Sequence, residues 1–521
     1  MSLFSYLDPA PEAKKKVPAS EVKSVYTKNQ ISVFFAIYLG YAGFYIVRNI
    51  VKVAQKDIIA EYGISKTELG GLLAMFGVAY GLSKFLMGVI SDKSNPRYYV
   101  ATGLIGSAVL TLLLGTTRNL FVMGFLMCIL ALFQGMGAPA AHKVISSWWH
   151  ARQRGTVLSV WNTSHNIGGS VVAPLVVFAT SVGGTLAWAE HFPKISLFPI
   201  FAIPAVVSLI LGVIIILLGR DRPTSVGLPS IEDFSGISDG QKSKDAISAD
   251  GELVELTSMQ IFVKYILKSK YCWFLFFANA GVYLARYGIS DWIPLYLEEG
   301  KGFDADFAKY CYSFFELSAI PITILLGLAS DRLFKSKRAI IGVGLGILNV
   351  LLIFGYIYAK DTWLIITIIC LFGATVYGSQ MLTATLTMEL VPKFAVGALT
   401  GFIALAAYLI GEVCAGIVVP LLVGDEDNPN WTIAFTFVGV AAILSVIFFF
   451  LLMAAEKHKD SFAAGTAKAV DYDGTDDDDD EEEAPKKAPA KKATASSSAK
   501  KSSTSSSAKK APAKKSGGLK K

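Results

Sequence analysis

The sequence predicts an all-α membrane protein in which twelve transmembrane helices form two pseudo-symmetric six-helix bundles. The chain of 521 residues is 53% hydrophobic and only 17% charged, with a mean hydropathy of +0.50, which is too apolar for a soluble protein. Apolar runs of about 20 residues, the length that crosses a bilayer, recur until about residue 454. A weak internal repeat then relates the two halves of the chain.

The candidate spans are separated by short polar turns. In the first half they lie at about 28–56, 68–91, 98–117, 119–144, 155–182 and 196–219. In the second half they lie at about 271–298, 306–330, 338–358, 362–388, 394–423 and 431–454. The segment between them is polar and rich in Gly, Ser and Asp. We therefore expect a linker at 220–270 that joins bundles at 28–219 and 271–455.

The distribution of cations predicts the orientation of the spans. The turns after the second, fourth and eighth spans carry lysine and arginine, whereas the turn after the eleventh span, GDEDNPN, has acids and no cation. Because cytoplasmic loops carry an excess of cations, both termini and the linker are expected in the cytoplasm. The polar lead at 1–27 shows no cleavable signal sequence, so the first span is expected to start insertion.

The C-terminal segment at 456–521 is predicted to be a disordered cytoplasmic tail. An unbroken acidic run from Asp476 to Glu483 precedes a mixture of Lys, Ala, Pro and Ser, which cannot bury enough apolar surface to fold. Residues 471–521 hold twelve lysines and ten acids, so about +5 of the net charge of +7 belongs to the membrane part. A tail that binds nucleic acid or an anionic membrane is the alternative, and a solvated tail is favoured.

The internal repeat has a period near 239 residues. A Tyr-x-x-Arg motif recurs in the first span of each half, and a Gly-x-x-x-Asp motif recurs at the end of the second span of each half. The repeated positions are Tyr45, Arg48, Gly88 and Asp92 in the first half, and Tyr283, Arg286, Gly327 and Asp331 in the second. Two motifs at one offset indicate parallel halves with a binding site between them at mid-membrane.

Two arginines are predicted to lie at that level. Arg286 is fifteen residues into its span, so about 20 Å of helix precedes it, and the repeat places Arg48 opposite. A charge at the bilayer centre costs about 2.5–3.5 kcal/mol, so each arginine needs a partner. A phosphate dianion matches the paired donors of guanidinium. The alternative is pairing with the intramembrane acids Asp291, Glu316 and Glu412.

Other polar residues in the spans have two interpretations each. His165 either faces the cavity, with Asn162 beside it, or bonds to a neighbouring helix. Lys84 either extends toward the headgroups or pairs with Glu316 across the halves. The chain lacks a P-loop and a nucleophile elbow, so we expect a carrier driven by a gradient, not an enzyme, with no cofactor and no metal site.

The sequence also resembles a known family over about residues 28–455. The stretches that carry the resemblance are AYGLSKFLMGVISDKSNPR, FQGMGAP, VLSVWNTSHNIGG, VYLARYGISDW and ELVPKFAVGALTGF. They look like the organophosphate:phosphate antiporters of the major facilitator superfamily. The resemblance implies the major facilitator fold and exchange of inorganic phosphate for a small phosphate ester, such as glycerol-3-phosphate or hexose-6-phosphate. It further implies a bacterial inner-membrane protein, expected to be monomeric.

The resemblance implies roles for individual residues. Those that bind substrate or line its path would be Arg48, Arg286, His165, Tyr41, Tyr45, Tyr80, Lys84, Asn162, Tyr283, Tyr377 and Tyr408. Those that act in gating or structure would be Gly88, Asp92, Arg97, Glu316, Gly327, Asp331 and Arg338.

Three departures from the family pattern bear on the substrate. Asn49 follows Arg48 where the family commonly has lysine, and Thr400 and Ile403 occupy the positions of an acid and a lysine in hexose-phosphate carriers. The second departure favours the glycerol-3-phosphate type, although Glu412 is atypical of that branch. A proton-coupled symporter that uses Glu412 and His165, and a membrane sensor of sugar phosphate, are the alternative functions.

Overall fold

The structure is a computed structural model. It describes residues 5–183, 197–236, 245–247, 253–255, 258–332, 338–391, 395–424 and 428–453. Within these ranges each of the twelve predicted spans is helical, and the predicted tail at 456–521 lies outside them. The all-α membrane architecture is therefore confirmed for the described part of the chain.

The first half begins with a short 3-10 helix at Ser5–Leu7 and continues with ten α-helices. They are α1 (Val22–Arg48), α2 (Ile50–Val53), α3 (Gln55–Tyr62), α4 (Lys66–Asp92), α5 (Pro96–Leu114), α6 (Leu120–Gln134), α7 (Gly137–Trp148), α8 (Ala151–Asn162), α9 (Ser164–Gly183) and α10 (Phe198–Leu218). The first, fourth and fifth spans are each interrupted, because α1, α6 and α8 end within them.

The connecting segment carries only short elements. They are a 3-10 helix (Pro223–Val226), α11 (Ile231–Ser235), two paired antiparallel strands β1 (Asp245–Ile247) and β2 (Leu253–Glu255), α12 (Ser258–Ile261) and a π-helix (Phe262–Leu267).

The second half contains eight α-helices and one π-helical turn. They are α13 (Lys270–Ser290), α14 (Ile293–Glu299), α15 (Ala305–Arg332), α16 (Arg338–Tyr358), α17 (Thr362–Glu389), α18 (Val396–Leu405), the π-helical turn (Ala406–Glu412), α19 (Val413–Val423) and α20 (Trp431–Leu452). Ten helical stretches in the described chain are long and apolar enough to cross a membrane, and α13 and α15, the seventh and eighth spans, carry polar residues such as Arg286 and Glu316.

Polar caps at helix starts explain where several spans begin. At the start of α4, the Ser65 hydroxyl accepts from the Glu68 backbone N–H at 3.2 Å, and the Glu68 carboxylate accepts from the Ser65 N–H at 2.8 Å. Three further helices begin with a residue whose side-chain oxygen accepts a hydrogen bond from a backbone N–H of the first turn. These residues are Asn119 for α6, Asp361 for α17 and Asn430 for α20. These caps satisfy backbone donors that the helix itself leaves unpaired.

The two halves pack closely along two helix pairs. In the pair of α4 and α19, a Cβ added at Gly70 would lie only 1.9 Å from the Gly416 carbonyl oxygen, so glycine is required for this approach. In the pair of α9 and α15, the Ser313 hydroxyl donates to the Ser170 carbonyl at 2.6 Å. Small residues allow such close contact between membrane helices.

Ion pairs join the halves at the distal end, by which we mean the end of the bundle opposite Val22 and Leu452. Lys56 Nζ lies 2.5 Å from Glu298 Oε1, and Lys66 Nζ lies 2.7 Å from Glu299 Oε2. Lys309 Nζ lies 2.9 Å from Asp57 Oδ2. In this pair the second half supplies the cation and the first half supplies the acid. The described structure is therefore closed at the distal end.

Candidate functional site

Arg48, the last residue of α1, is buried between the halves. Its guanidinium carbon lies 4.1 Å from the centre of the Tyr80 ring, which places the cation over an aromatic face. Its Nη2 donates to Glu412 Oε1 at 3.3 Å and to the Tyr287 hydroxyl at 3.5 Å, and both partners belong to the second half. Arg48 therefore connects the two bundles directly.

Arg286, four residues before the end of α13, is buried to the same degree, each arginine being 6% exposed. Its Nη2 donates to the Tyr377 hydroxyl at 2.6 Å, and its Nη1 donates to Gln380 Oε1 at 3.3 Å. Tyr377 and Gln380 lie one turn apart on α17, which fixes the guanidinium against one face of that helix.

The two arginines approach the same tyrosine. Arg48 donates to the Tyr287 hydroxyl, and the guanidinium carbon of Arg286 lies 4.9 Å from the centre of the Tyr287 ring. Arg48 Nη1 and Arg286 Nε are buried and have no hydrogen-bond partner among the described residues. Buried N–H donors are normally paired. Each half therefore contributes one guanidinium nitrogen that still lacks an acceptor among the described residues.

His165 lies between residues that contact the two arginines. Its ring centre is 5.2 Å from that of Tyr45, which packs on Arg48, and 5.3 Å from that of Tyr377, which binds Arg286. The imidazole also hydrogen-bonds to the backbone of Asn162, one turn earlier in the fifth span. His165 thus lies between the two arginines' tyrosines, and its hydrogen bond is made within its own span, to Asn162.

Lys84 binds a different partner from the one predicted. Its Nζ donates to the Tyr408 hydroxyl at 2.9 Å and lies 5.1 Å from the centre of the Tyr80 ring. The predicted pair with Glu316 is wrong, because hydroxyl and amide donors from both halves already bind that carboxylate. The donors are the Asn166 amide at 2.9 Å, the Tyr312 hydroxyl at 3.1 Å and the Tyr377 hydroxyl at 2.8 Å.

The remaining predicted tyrosines form an aromatic lining around these cations. Tyr41 packs on Trp161 with ring centres 4.5 Å apart and on Tyr45 at 5.4 Å. Tyr283 packs on Tyr408 at 5.9 Å. Aromatic rings with polar tips suit a cavity that receives a polar ligand with an organic tail.

Sequence reasoning missed Lys52, which lies one turn after Arg48 in α2. Its Nζ donates to Asp291 Oδ1 at 2.8 Å and lies 3.8 Å from Glu412 Oε1. Gln55, one turn further, donates to the Asp291 carbonyl at 2.6 Å. The spacing of four residues from Arg48 is a signal that would have placed Lys52 on the same helix face.

The acids proposed as alternative partners of the arginines are used unequally. Glu412 pairs with Arg48, so that alternative holds for the first half. Asp291 pairs with Lys52, and Glu316 reaches Arg286 only through the Tyr377 hydroxyl. Arg286 has no direct ion pair with an acid among the described residues.

Of the predicted gating and structural residues, Glu316 lies in the central site, whereas Arg97 and Arg338 lie toward the other end of the helices. Arg97 Nε donates to the Ile216 carbonyl at 2.7 Å, and Arg338 Nε donates to Glu389 Oε1 at 2.9 Å. A Cβ at Gly88 would meet no atom within 4 Å. Asp92, at the end of α4, and Gly327 and Asp331, near the end of α15, have side-chain positions that lie outside the described residues.

Replacing Tyr377 with phenylalanine is expected to weaken binding of an anion at Arg286 about tenfold. The change removes the acceptor of Arg286 Nη2 and one donor to buried Glu316, and an unpaired buried polar group costs about 1–3 kcal/mol. Tyr312→Phe is the matched control, because its hydroxyl contacts Glu316 and not Arg286. Titration calorimetry of the purified proteins measures the difference, and equal losses in the two variants would contradict the expectation.

The fold and the site together define a class of protein. Two packed sets of membrane-spanning helices with buried cations between them are the arrangement of a multi-pass membrane transporter, in which the substrate binds at the interface of the repeats. The protein is not an enzyme. The Major Facilitator Superfamily model matches residues 37–416, and the chain belongs to that superfamily.

Relatives refine this assignment to the organophosphate:phosphate antiporter family. A glycerol-3-phosphate transporter of Bacillus subtilis (strain 168) is 35% identical over 452 residues, which cover 86% of this chain and 97% of that protein. The membrane sensor protein UhpC of Escherichia coli (strain K12) is 29% identical over 88% of this chain and 100% of that protein.

Among solved structures, the fold is shared with a bacterial homolog of the human lysosomal transporter Spinster in an inward-facing, unoccupied conformation. The TM-score is 0.62 at 14% sequence identity, and the match covers 84% of this chain and 98% of that one. At this identity the likeness concerns the fold alone.

Proposed function

We propose that this protein exchanges a small phosphate ester for inorganic phosphate across a bacterial inner membrane. The observation that carries the proposal is the pair of buried arginines, one from each half, each with a guanidinium nitrogen that has no partner among the described residues. A phosphoryl group has several acceptor oxygens and matches guanidinium donors from two directions. The similarity to a glycerol-3-phosphate transporter supports the same ligand chemistry.

The charges around the site favour an anion. The buried cations are Arg48, Lys52, Lys84 and Arg286, and the buried or nearby acids are Asp291, Glu316 and Glu412. Four cations against three acids leave one positive charge in excess when all groups are ionised. The phosphate group of a bound ester compensates that charge, while the aromatic lining contacts the neutral part of the ester.

In the proposed mechanism the halves at 28–219 and 271–455 rock around the fixed site. The distal end, which the cation distribution predicts to be extracytoplasmic, is closed by the ion pairs of Lys56, Lys66 and Lys309. These pairs break and the site becomes accessible from outside when the halves rock the other way. Both termini stay in the cytoplasm, and a single chain suffices for the cycle.

Transport by the full chain in liposomes tests this proposal. We expect labelled glycerol-3-phosphate to enter liposomes loaded with inorganic phosphate, and to enter phosphate-free liposomes at least about tenfold more slowly. A panel that includes hexose-6-phosphates identifies the preferred ester. Uptake driven by a pH gradient alone would establish the symporter instead, and binding without any uptake would support a sensor such as the relative UhpC.

A further inference from the structure

The Glu412 side chain is buried beside Arg48. The carboxylate is 1% exposed at the end of the π-helical turn, with Oε1 and Oε2 at 3.3 and 3.5 Å from Arg48 Nη2. It packs against Gly77 of α4, where an added Cβ would lie 3.0 Å from Glu412 Cδ. A carboxylate therefore lies at one nitrogen of a guanidinium whose other terminal nitrogen, Nη1, has no partner among the described residues.

A second cation, Lys52, lies next to this carboxylate. Lys52 Nζ lies 3.8 Å from Glu412 Oε1, against 2.8 Å from Asp291 Oδ1. A shift of about 1.0 Å, the difference between these two distances, would bring Glu412 to Lys52 at the closeness that Asp291 already has. Glu412 can therefore release Arg48 without becoming an unpaired buried charge, which would be costly.

The ion pair of Arg48 and Glu412 links the two halves. Arg48 ends α1 in the first half, and Glu412 precedes α19 in the second. Among the residues that the structure describes, Arg286 has no equivalent acid, because Glu316 contacts it only through Tyr377. Of these two arginines, Arg48 is thus the one whose ion pair links the two halves.

We propose that Glu412 is an internal anion that takes the place of phosphate at Arg48 in the empty carrier and thereby makes exchange obligatory. Without phosphate, the pair holds the two halves together and raises the barrier to rocking, so the empty carrier does not change over. Phosphate competes for Arg48, Glu412 moves to Lys52, and the halves are free to rock. This inference rests on the proposed phosphate exchange, and it adds the residue that couples binding to movement.

The test measures escape of labelled phosphate from loaded liposomes, with and without glycerol-3-phosphate outside. The wild-type protein is expected to release phosphate only when the ester is present. In Glu412→Gln we expect release into ester-free buffer to rise about tenfold, while exchange continues. Release that depends on external ester as strictly as in the wild type would overturn the proposal.

Two variants separate this role from general effects of charge. Glu61→Gln removes a negative charge that pairs with Arg118 within the first half and not with Arg48. Glu298→Gln breaks an ion pair between the halves at the distal end. Neither is expected to raise ester-free release more than about twofold, and a rise in either that matches Glu412→Gln would contradict a specific role for Glu412.

A binding measurement keeps the proposal testable if transport fails. Removal of an internal competitor should tighten binding of inorganic phosphate about tenfold in purified Glu412→Gln, and Glu61→Gln should not show this gain. If the wild type binds phosphate but exchanges nothing, the proposed function fails while this comparison still decides the role of Glu412. Glu412→Asp keeps the charge but shortens the side chain by one methylene, so its affinity for phosphate should fall between those of the wild type and Glu412→Gln. Wild-type affinity in both Glu412→Gln and Glu412→Asp would overturn the proposal.

Discussion

Exchange of phosphate is expected to fall at least about 100-fold when Arg286 is replaced by lysine, and equally when Arg48 is. Lysine keeps the charge but offers a point donor in place of a planar fork, and it cannot reach Tyr377 and Gln380 together as Arg286 does. A loss of about 2.7 kcal/mol of binding corresponds to this factor, since each 1.4 kcal/mol is tenfold. The measurement is counterflow of labelled phosphate in liposomes.

Arg118→Lys provides the control for this pair of variants. Arg118 makes an ion pair with Glu61 at the surface, where the side chain is 44% exposed, and exposed ion pairs contribute little. Its exchange rate should stay within about twofold of the wild type. Normal exchange by Arg48→Lys or Arg286→Lys would remove both arginines from the substrate site.

Gly70→Ala is expected to prevent closure of the distal end. The new methyl group would lie 1.9 Å from the Gly416 carbonyl oxygen and 2.7 Å from Pro420 Cγ, and a backbone oxygen cannot turn aside as a flexible side chain can. Overpacking of this kind costs about 1–3 kcal/mol, which shifts a two-state equilibrium roughly 5- to 150-fold. The carrier should then stay open at the distal end and exchange phosphate slowly.

Gly71→Ala is the matched neighbour, because a Cβ at that position meets no atom within 4 Å. Distances between spin labels on α3 and α15 would report closure in each variant. We expect the labels to move apart in Gly70→Ala and to keep the wild-type distance in Gly71→Ala. A wild-type distance together with wild-type exchange in Gly70→Ala would show that the helices can separate slightly at no cost.

The placement of Arg48 and Arg286 in the first helix of each half could be predicted from the sequence because it follows from counting along the chain. The spans were predictable for the same reason, since apolar runs of membrane length report them directly. The repeat relates positions that are equivalent in the two halves. It does not report which side chains touch, and the incorrect pairing of Lys84 with Glu316 came from treating equivalence as contact.

Contacts across the halves needed the structure. Glu412 and Arg48 are 364 residues apart, and no local pattern connects them. Glu412 could be recognised as unusual in the sequence, yet its partner depends on how the π-helical turn is placed against α1 and α4. Lys52 was missed, although it lies four residues after Arg48 in the predicted first span, because the repeated Tyr-x-x-Arg motif ends at Arg48.

The ion pairs at the distal end make the resting orientation of this carrier sensitive to its surroundings. Lys56 is 48% exposed and Asp57 is 29% exposed, so dissolved salt reaches both pairs and screens them within about 8 Å at physiological ionic strength. The Arg48 and Glu412 side chains, at 2% and 1% exposure, are shielded from the same ions. Ionic strength on the side of the distal end therefore acts on closure of that end and leaves the buried pair of Arg48 and Glu412 untouched.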